Sequence, residues 1–96
     1  MNKYKTDTNH AELRDYMRKL GAIVKDTSMF GNGFPDLLVK YRGRIYYIEI
    51  KKSEKEKLTK AEEEFRSFIG EKNYSIVVTR KDVYKLFGEL DESQRV

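Results

Sequence analysis

Two runs of strand-forming residues on either side of a glycine turn constrain this chain more than any other feature. Leu37-Leu38-Val39-Lys40-Tyr41 and Ile45-Tyr46-Tyr47-Ile48 are rich in β-branched and aromatic side chains, with Arg42-Gly43-Arg44 between them. A two-residue loop at Arg42-Gly43 makes Tyr41 face Arg44, and the pairing runs back from there. That register sets Asp36 across from Glu49, at roughly 5 Å between Cβ atoms. Strand periodicity puts Glu49 and Lys51 on one face. Two carboxylates and an ammonium therefore converge at one end of a predicted hairpin.

These residue types suit a divalent cation and an activated water. Mg²⁺ takes carboxylate oxygens, keeps several waters and accepts a phosphate oxygen as a further ligand, and Mn²⁺ is an alternative ion for the same donors. Asp36 and Glu49 supply two protein oxygens, and the Ile50 carbonyl offers a third. Such a cation polarises a phosphodiester and lowers the pKa of a water. Lys51 then orients that water or stabilises charge developing on the phosphate. The plainer alternative is a surface ion pair across a hairpin, which is common and worth little.

Around this hairpin the chain reads as one domain without repeats or a linker. Asn9 opens a first helix with apolar positions at Leu13, Tyr16, Met17 and Leu20, closed by Gly21. Ala22-Ile23-Val24 follows as a short strand, then a loop from Ser28 to Phe34 with two glycines. Beyond the hairpin, Thr59 begins a second helix through Phe65, Phe68 and Ile69 to Gly70. Tyr74 to Thr79 reads as a strand and Lys81 to Leu90 as a last helix, while residues 91–96 form a polar tail expected to fray. The expected order is α-β-β-β-α-β-α, with the core over about residues 9–88.

Ninety-six residues make a modest core, which a partner subunit would help to stabilise. A net charge of +4 favours an acidic partner such as nucleic acid, although sixteen acids pair with many of the bases. The absence of cysteine excludes a disulfide framework and a thiolate zinc site, and a lone His10 cannot build a histidine cluster. Apolar runs are too short for a membrane span or a signal peptide, so a soluble, cytoplasmic protein of bacterial or phage type is expected.

Gly33-Phe34-Pro35-Asp36, an apolar strand and then Glu49-Ile50-Lys51 resemble the PD-(D/E)xK nuclease superfamily, most of all its small VRR-NUC nucleases, with the archaeal-type Holliday junction resolvases as neighbours. The resemblance covers roughly residues 9 to 80. It implies a single α/β (α+β) restriction-endonuclease-like domain, an αβββαβ core with a mixed central sheet flanked by helices. It also implies an acidic residue on the first helix, where Glu12 stands, as a further metal ligand or catalytic group. The residues alone give Glu12 another reading, the partner of Asn9 in a helix-capping box. In Leu58-Thr59-Lys60-Ala61-Glu62, Glu62 replaces the glutamine of the family. Thr59-x-x-Glu62 is itself a capping box, and Glu62 is read as a cap.

Gly31 and Gly33 supply the turn before Pro35, and the resemblance adds close approach of a nucleic-acid backbone, with Ser28 and Asn32 as phosphate contacts. Phe30 is read mainly as loop packing, and alternatively as a wedge at a junction. Lys52 and Lys55 follow the catalytic strand and are candidates to track phosphates, which position a substrate without specifying its bases. The expected activity is that of an Mg²⁺-dependent, structure-specific DNA endonuclease acting on branched DNA as a homodimer. The alternatives are a Holliday junction resolvase, a non-cleaving nucleic-acid-binding module, and a cleavage subunit that needs a targeting partner.

Overall fold

Residues 3–88 are described in a computed structural model of the chain. The elements are helix α1 (Lys3–Lys19), strand β1 (Ile23–Asp26), a 3₁₀ turn (Ser28–Phe30), strands β2 (Leu37–Tyr41) and β3 (Arg44–Ile50), helix α2 (Lys60–Ile69), a second 3₁₀ turn (Glu71–Asn73), strand β4 (Tyr74–Val77) and helix α3 (Arg80–Leu86). The result is a small α+β domain. Its one four-stranded sheet has the order β1-β2-β3-β4, antiparallel at the first two pairings and parallel at the last.

The hairpin has the expected register, from Tyr41 opposite Arg44 to Leu37 opposite Ile48. Arg42 (φ 51°) and Gly43 (φ 80°) both take the left-handed conformation, which matches a two-residue turn to the strand twist. The Arg42 guanidinium lies 5.2 Å from the centre of the Tyr41 ring.

The two faces of the sheet differ in chemistry. Leu37, Val39, Tyr41, Tyr46 and Ile48 point to one side and pack with Leu13 and Met17 of α1 and Val83 of α3. Phe87, just past α3, stacks on Tyr41 at 4.0 Å between centroids. Fully buried Leu37 and Ile48 each contribute about 1.5–3 kcal/mol by the area they remove from water. The opposite side carries Asp36, Leu38, Tyr47, Glu49 and Lys51, and α2 covers it through Phe65, whose ring lies 6.2 Å from Tyr47. Phe34 stands between this helix and the loop, 4.9 Å from Phe65.

Several boundaries differ from expectation. Helix α1 starts at Lys3, not at Asn9, because no glycine or proline interrupts residues 3–8. Asn9 and Glu12 are therefore interior to the helix, and the capping box between them does not form. Asn9 instead donates its side-chain amide to the Lys51 carbonyl at 3.2 Å. Helix α2 does begin at Thr59 with the capping box to Glu62. Helix α3 is capped by Thr79 and Asp82, and the chain turns away at Phe87 and Gly88, the latter at φ 81°. Leu90 and the tail 91–96 lie outside the described residues. Among the described residues, no helix is long and apolar enough to cross a membrane.

Candidate metal centre

Asp36 stands at the threshold of β2, and its backbone is held from both directions. The Thr27 hydroxyl donates to the Pro35 carbonyl and the Thr27 amide to the Asp36 carbonyl, each at 2.8 Å. The Asp36 carboxylate reaches across the hairpin and accepts the Ile50 amide on Oδ2 at 2.9 Å. The next pair of the β2–β3 register is Asp36 with Glu49, and the Asp36 side chain reaches one residue further along β3. Glu49 and Lys51 follow on the same face, 4% and 5% exposed. The Lys51 amide donates to the Val77 carbonyl at 3.1 Å, which carries the pairing with β4 past the end of β3.

Lys51 is surrounded by acids. Its Nζ lies 2.8 Å from Glu62 Oε1, 3.6 Å from Glu49 Oε2 and 3.9 Å from Glu56 Oε2. Together with Asp36, Ile50 and Lys52 these residues line an open cleft of about 250 Å³. A buried ammonium this close to three carboxylates is not the solvated surface pair of the plainer reading, because desolvation strengthens every charge interaction.

Burial pushes the Asp36 carboxyl up, against the Ile50 amide that stabilises its charge. Glu49 is pushed up to about 9, first by burial and then by the negative charges of Asp36 and Glu62. Burial alone would lower the Lys51 ammonium, but the hydrogen bond to Glu62 and the charges of Glu62, Glu49 and Glu56 outweigh it, and its pKa rises. Burial likewise opposes ionisation of Glu62, yet the Lys51 and Thr59 hydrogen bonds bring its pKa below the ordinary value. The Tyr74 hydroxyl, raised mainly by burial and further by these carboxylates, is buried without a protein hydrogen-bond partner.

This donor set fits a hard divalent cation. Burial and the negative charges of Asp36 and Glu62 keep Glu49 protonated up to about pH 9, and a second positive centre would favour its ionised, ligating form. Among the described residues, no three His, Cys, Asp or Glu side chains form a cage for a metal ion. Mg²⁺ does not require one, since it binds through one or two carboxylates and fills its octahedron with waters and substrate phosphate oxygens.

Asp36, Glu49, Ile50, Lys51, Lys52 and Ser28 all line the cleft. Ser28 directs its amide and hydroxyl to Asp26 Oδ1, at 3.0 and 2.6 Å. Asn32 sits exposed in the turn at φ 51°, and Lys55 is exposed on the segment after β3, where its amide donates to Ser53 Oγ; neither lines the cleft. Glu12 does not line it either. Its carboxylate pairs with Arg80 at 3.2 Å, because Glu12 lies about 200° around the helix from His10, which does face the cleft.

Three residues join the site without having been selected from the sequence. Asn9 holds the Lys51 carbonyl. His10 is 8% exposed, with Nε2 3.3 Å from Asp26 Oδ2 but not aligned for a hydrogen bond. Glu62 is the third: the oxygen that caps α2 through the Thr59 amide also accepts from Lys51. Its position in Thr59-x-x-Glu62 was the available signal, and the completeness of the cap concealed the second role. Comparisons with protein-family models, with curated proteins and with solved structures found no match.

Proposed function

We propose that the chain is a divalent-cation-dependent nuclease of the PD-(D/E)xK type that hydrolyses phosphodiester bonds of structured DNA. The observation that carries this reading is the convergence of Asp36, Glu49 and a nearly buried Lys51 on one sheet face. The α-β-β-β-α-β run through β4, with its mixed sheet, is compatible with the αβββαβ core such enzymes use.

Asp36, Glu49 and the Ile50 carbonyl would hold the cation. When bound, Mg²⁺ or Mn²⁺ supplies Lewis-acid polarisation of the phosphate and a water of lowered pKa. Lys51 faces the same space with its ammonium fixed by Glu62, so it can orient that water and stabilise charge on the phosphate without reorganising. The Asp36–Ile50 hydrogen bond keeps one carboxylate oxygen engaged and so fixes the direction of the other. Lys52 lines the cleft and adds charge for a neighbouring phosphate, which positions the strand without reading its bases.

The reading extends to a homodimer that cuts two strands. Its support is the exposure of Ile23 and Ile45, 61% and 47%, on the sheet face that α2 only partly covers, and of Phe68, 83%, on α2 itself. A monomer by light scattering in the presence of DNA would remove the dimer and leave the chemistry.

The deciding experiment is cleavage of labelled four-way, flap, bubble and linear DNA with Mg²⁺ or Mn²⁺, beside a chelator control and Asp36→Ala. Cutting that needs the cation and disappears in the variant is the expected result, and the substrate order separates a resolvase from a broader nuclease. Tight binding without cutting would favour a binding module or a subunit awaiting a partner.

A further inference from the structure

The turn that leads to Asp36 displays apolar side chains that the fold does not use. Met29 is 91% exposed and Phe30 63%, both on the 3₁₀ turn Ser28–Phe30. Exposed side chains of this size bury little area and stabilise the domain little. Ser28, their neighbour, lines the cleft with Asp36 and Glu49.

The backbone beneath them is tied down at several points. The Phe30 amide donates to the Thr27 carbonyl at 3.1 Å, and the Phe34 amide to the Gly31 carbonyl at 2.9 Å. Thr27, itself buried, grips Pro35 and Asp36. Gly33 lies so close to the Ala61 backbone that a side chain there would overlap its carbonyl oxygen, which pins the loop to the first turn of α2. The Phe30 ring rests against Phe34 with 4.9 Å between centroids and 62° between planes, and Phe34 is backed by Phe65. A supported aromatic ring, mostly bare, is thereby held on the same short loop that orients a candidate metal ligand.

We propose that Phe30, flanked by Met29, is a stacking platform for an unpaired nucleobase next to the scissile phosphate, and so sets a preference for DNA with unpaired positions at the cut. This rests on the nuclease reading of the cleft. The chemistry fits the placement. Phosphates seek the polar, cation-suited cleft, while a base freed from its stack seeks a planar apolar surface within reach of the same nucleotide. A ring already held against Phe34 gives that surface with little further loss of side-chain freedom. Stacking is tolerant of base identity, so the platform distinguishes paired from unpaired DNA and not one sequence from another.

The test separates this inference from the chemistry of cleavage by reading binding in chelator. Bubble and fully paired DNA of the same sequence, carrying 2-aminopurine at successive positions, are titrated with the unaltered chain, Phe30→Ala and Phe30→Trp. The expected result is quenching at one or two unpaired positions by the unaltered chain. Phe30→Ala should abolish the quench and lower the bubble-to-duplex affinity ratio between about 5- and 150-fold, as loss of one stacked base does. Phe30→Trp should keep both. Cleavage mapped on the same bubble with Mn²⁺ should fall beside the quenched position. Binding without a position-specific quench, or an equal loss on both DNAs, overturns the platform while leaving a nuclease intact. A Phe30→Ala chain that changes from dimer to monomer in sedimentation, with the ratio unchanged, assigns the patch to a second copy and also overturns it. Quenching without cleavage on any substrate overturns the nuclease reading and keeps only the base contact.

Discussion

Lys51 Nζ lies 2.8 Å from Glu62 Oε1, the oxygen that also accepts the Thr59 amide at 2.9 Å. One carboxylate thus starts helix α2 and fixes the ammonium of the candidate centre, so helix capping and site geometry share an atom. Glu62→Ala should remove both, destabilising the domain by about 1–3 kcal/mol and reducing cleavage. Glu62→Gln keeps an acceptor for Thr59 and Lys51 and should lose the smaller part of that stability. Thermal melting of both variants beside the unaltered chain checks the order, and an unshifted Glu62→Ala would show that neither bond matters.

Removing the ammonium should be worse than removing one of its partners. Lys51→Met leaves the ionised Glu62 without its ammonium beside Asp36 and Glu49, and loss of one partner of a buried pair costs about 3–5 kcal/mol. In chelator the variant should melt well below the unaltered chain. Mn²⁺ should recover part of the loss by supplying the missing positive charge. A melting point indifferent to Mn²⁺ would argue against a cation between these carboxylates.

Glu49 sets the direction of the pH dependence in chelator. Its folded pKa is pushed from 4.5 up to about 9, so between those values the folded form keeps a proton that the unfolded form has released. The stability that Glu49 contributes is therefore full below about 4.5 and is lost as pH rises toward 9. Asp36, also raised, contributes in the same sense. Glu62, whose pKa is lowered, acts with opposite sign as pH falls through its folded and unfolded values. Melting points from pH 5 to 9 should decline in the unaltered chain and flatten in Glu49→Gln; equal slopes would exclude Glu49 as their source.

Gly33 and Gly31 offer a paired test of the loop. At Gly33 (φ 83°) an added Cβ would overlap the Ala61 carbonyl, whereas at Gly31 (φ 68°) it meets nothing within 4 Å. Gly31 (φ 68°, ψ −164°) holds a backbone conformation that is essentially reserved for glycine, so Gly31→Ala should cost about 1–3 kcal/mol from backbone strain without a clash. Gly33→Ala adds steric displacement of α2 and should cost about 2–4 kcal/mol in all. Urea unfolding of the two variants measures the difference, and equal losses would mean that the loop and α2 are not in close contact.

The hairpin and its consequences were legible before the tertiary structure. Strand periodicity, the Arg42-Gly43 turn and the spacing of Asp36, Glu49 and Lys51 are local properties, and the observed register from Tyr41–Arg44 to Leu37–Ile48 follows from them. Glu12 was not legible in the same way. Spacing puts an acid on the first helix, but which side of that helix meets the cleft depends on how α1 rotates to bury Leu13 and Met17 under the sheet. That rotation turns Asn9 and His10 to the cleft and Glu12 to Arg80.

By itself, the sequence determined the order of elements, the hairpin and the face on which the acidic pair and Lys51 stand, because each depends on periods of a few residues along one segment. Only the tertiary structure decided that Glu62 completes the Lys51 site, that Asn9 holds its backbone and that Glu12 stands apart. Those relationships join segments eleven to more than forty residues distant, and their geometry is set by which side chains each helix must bury against the sheet.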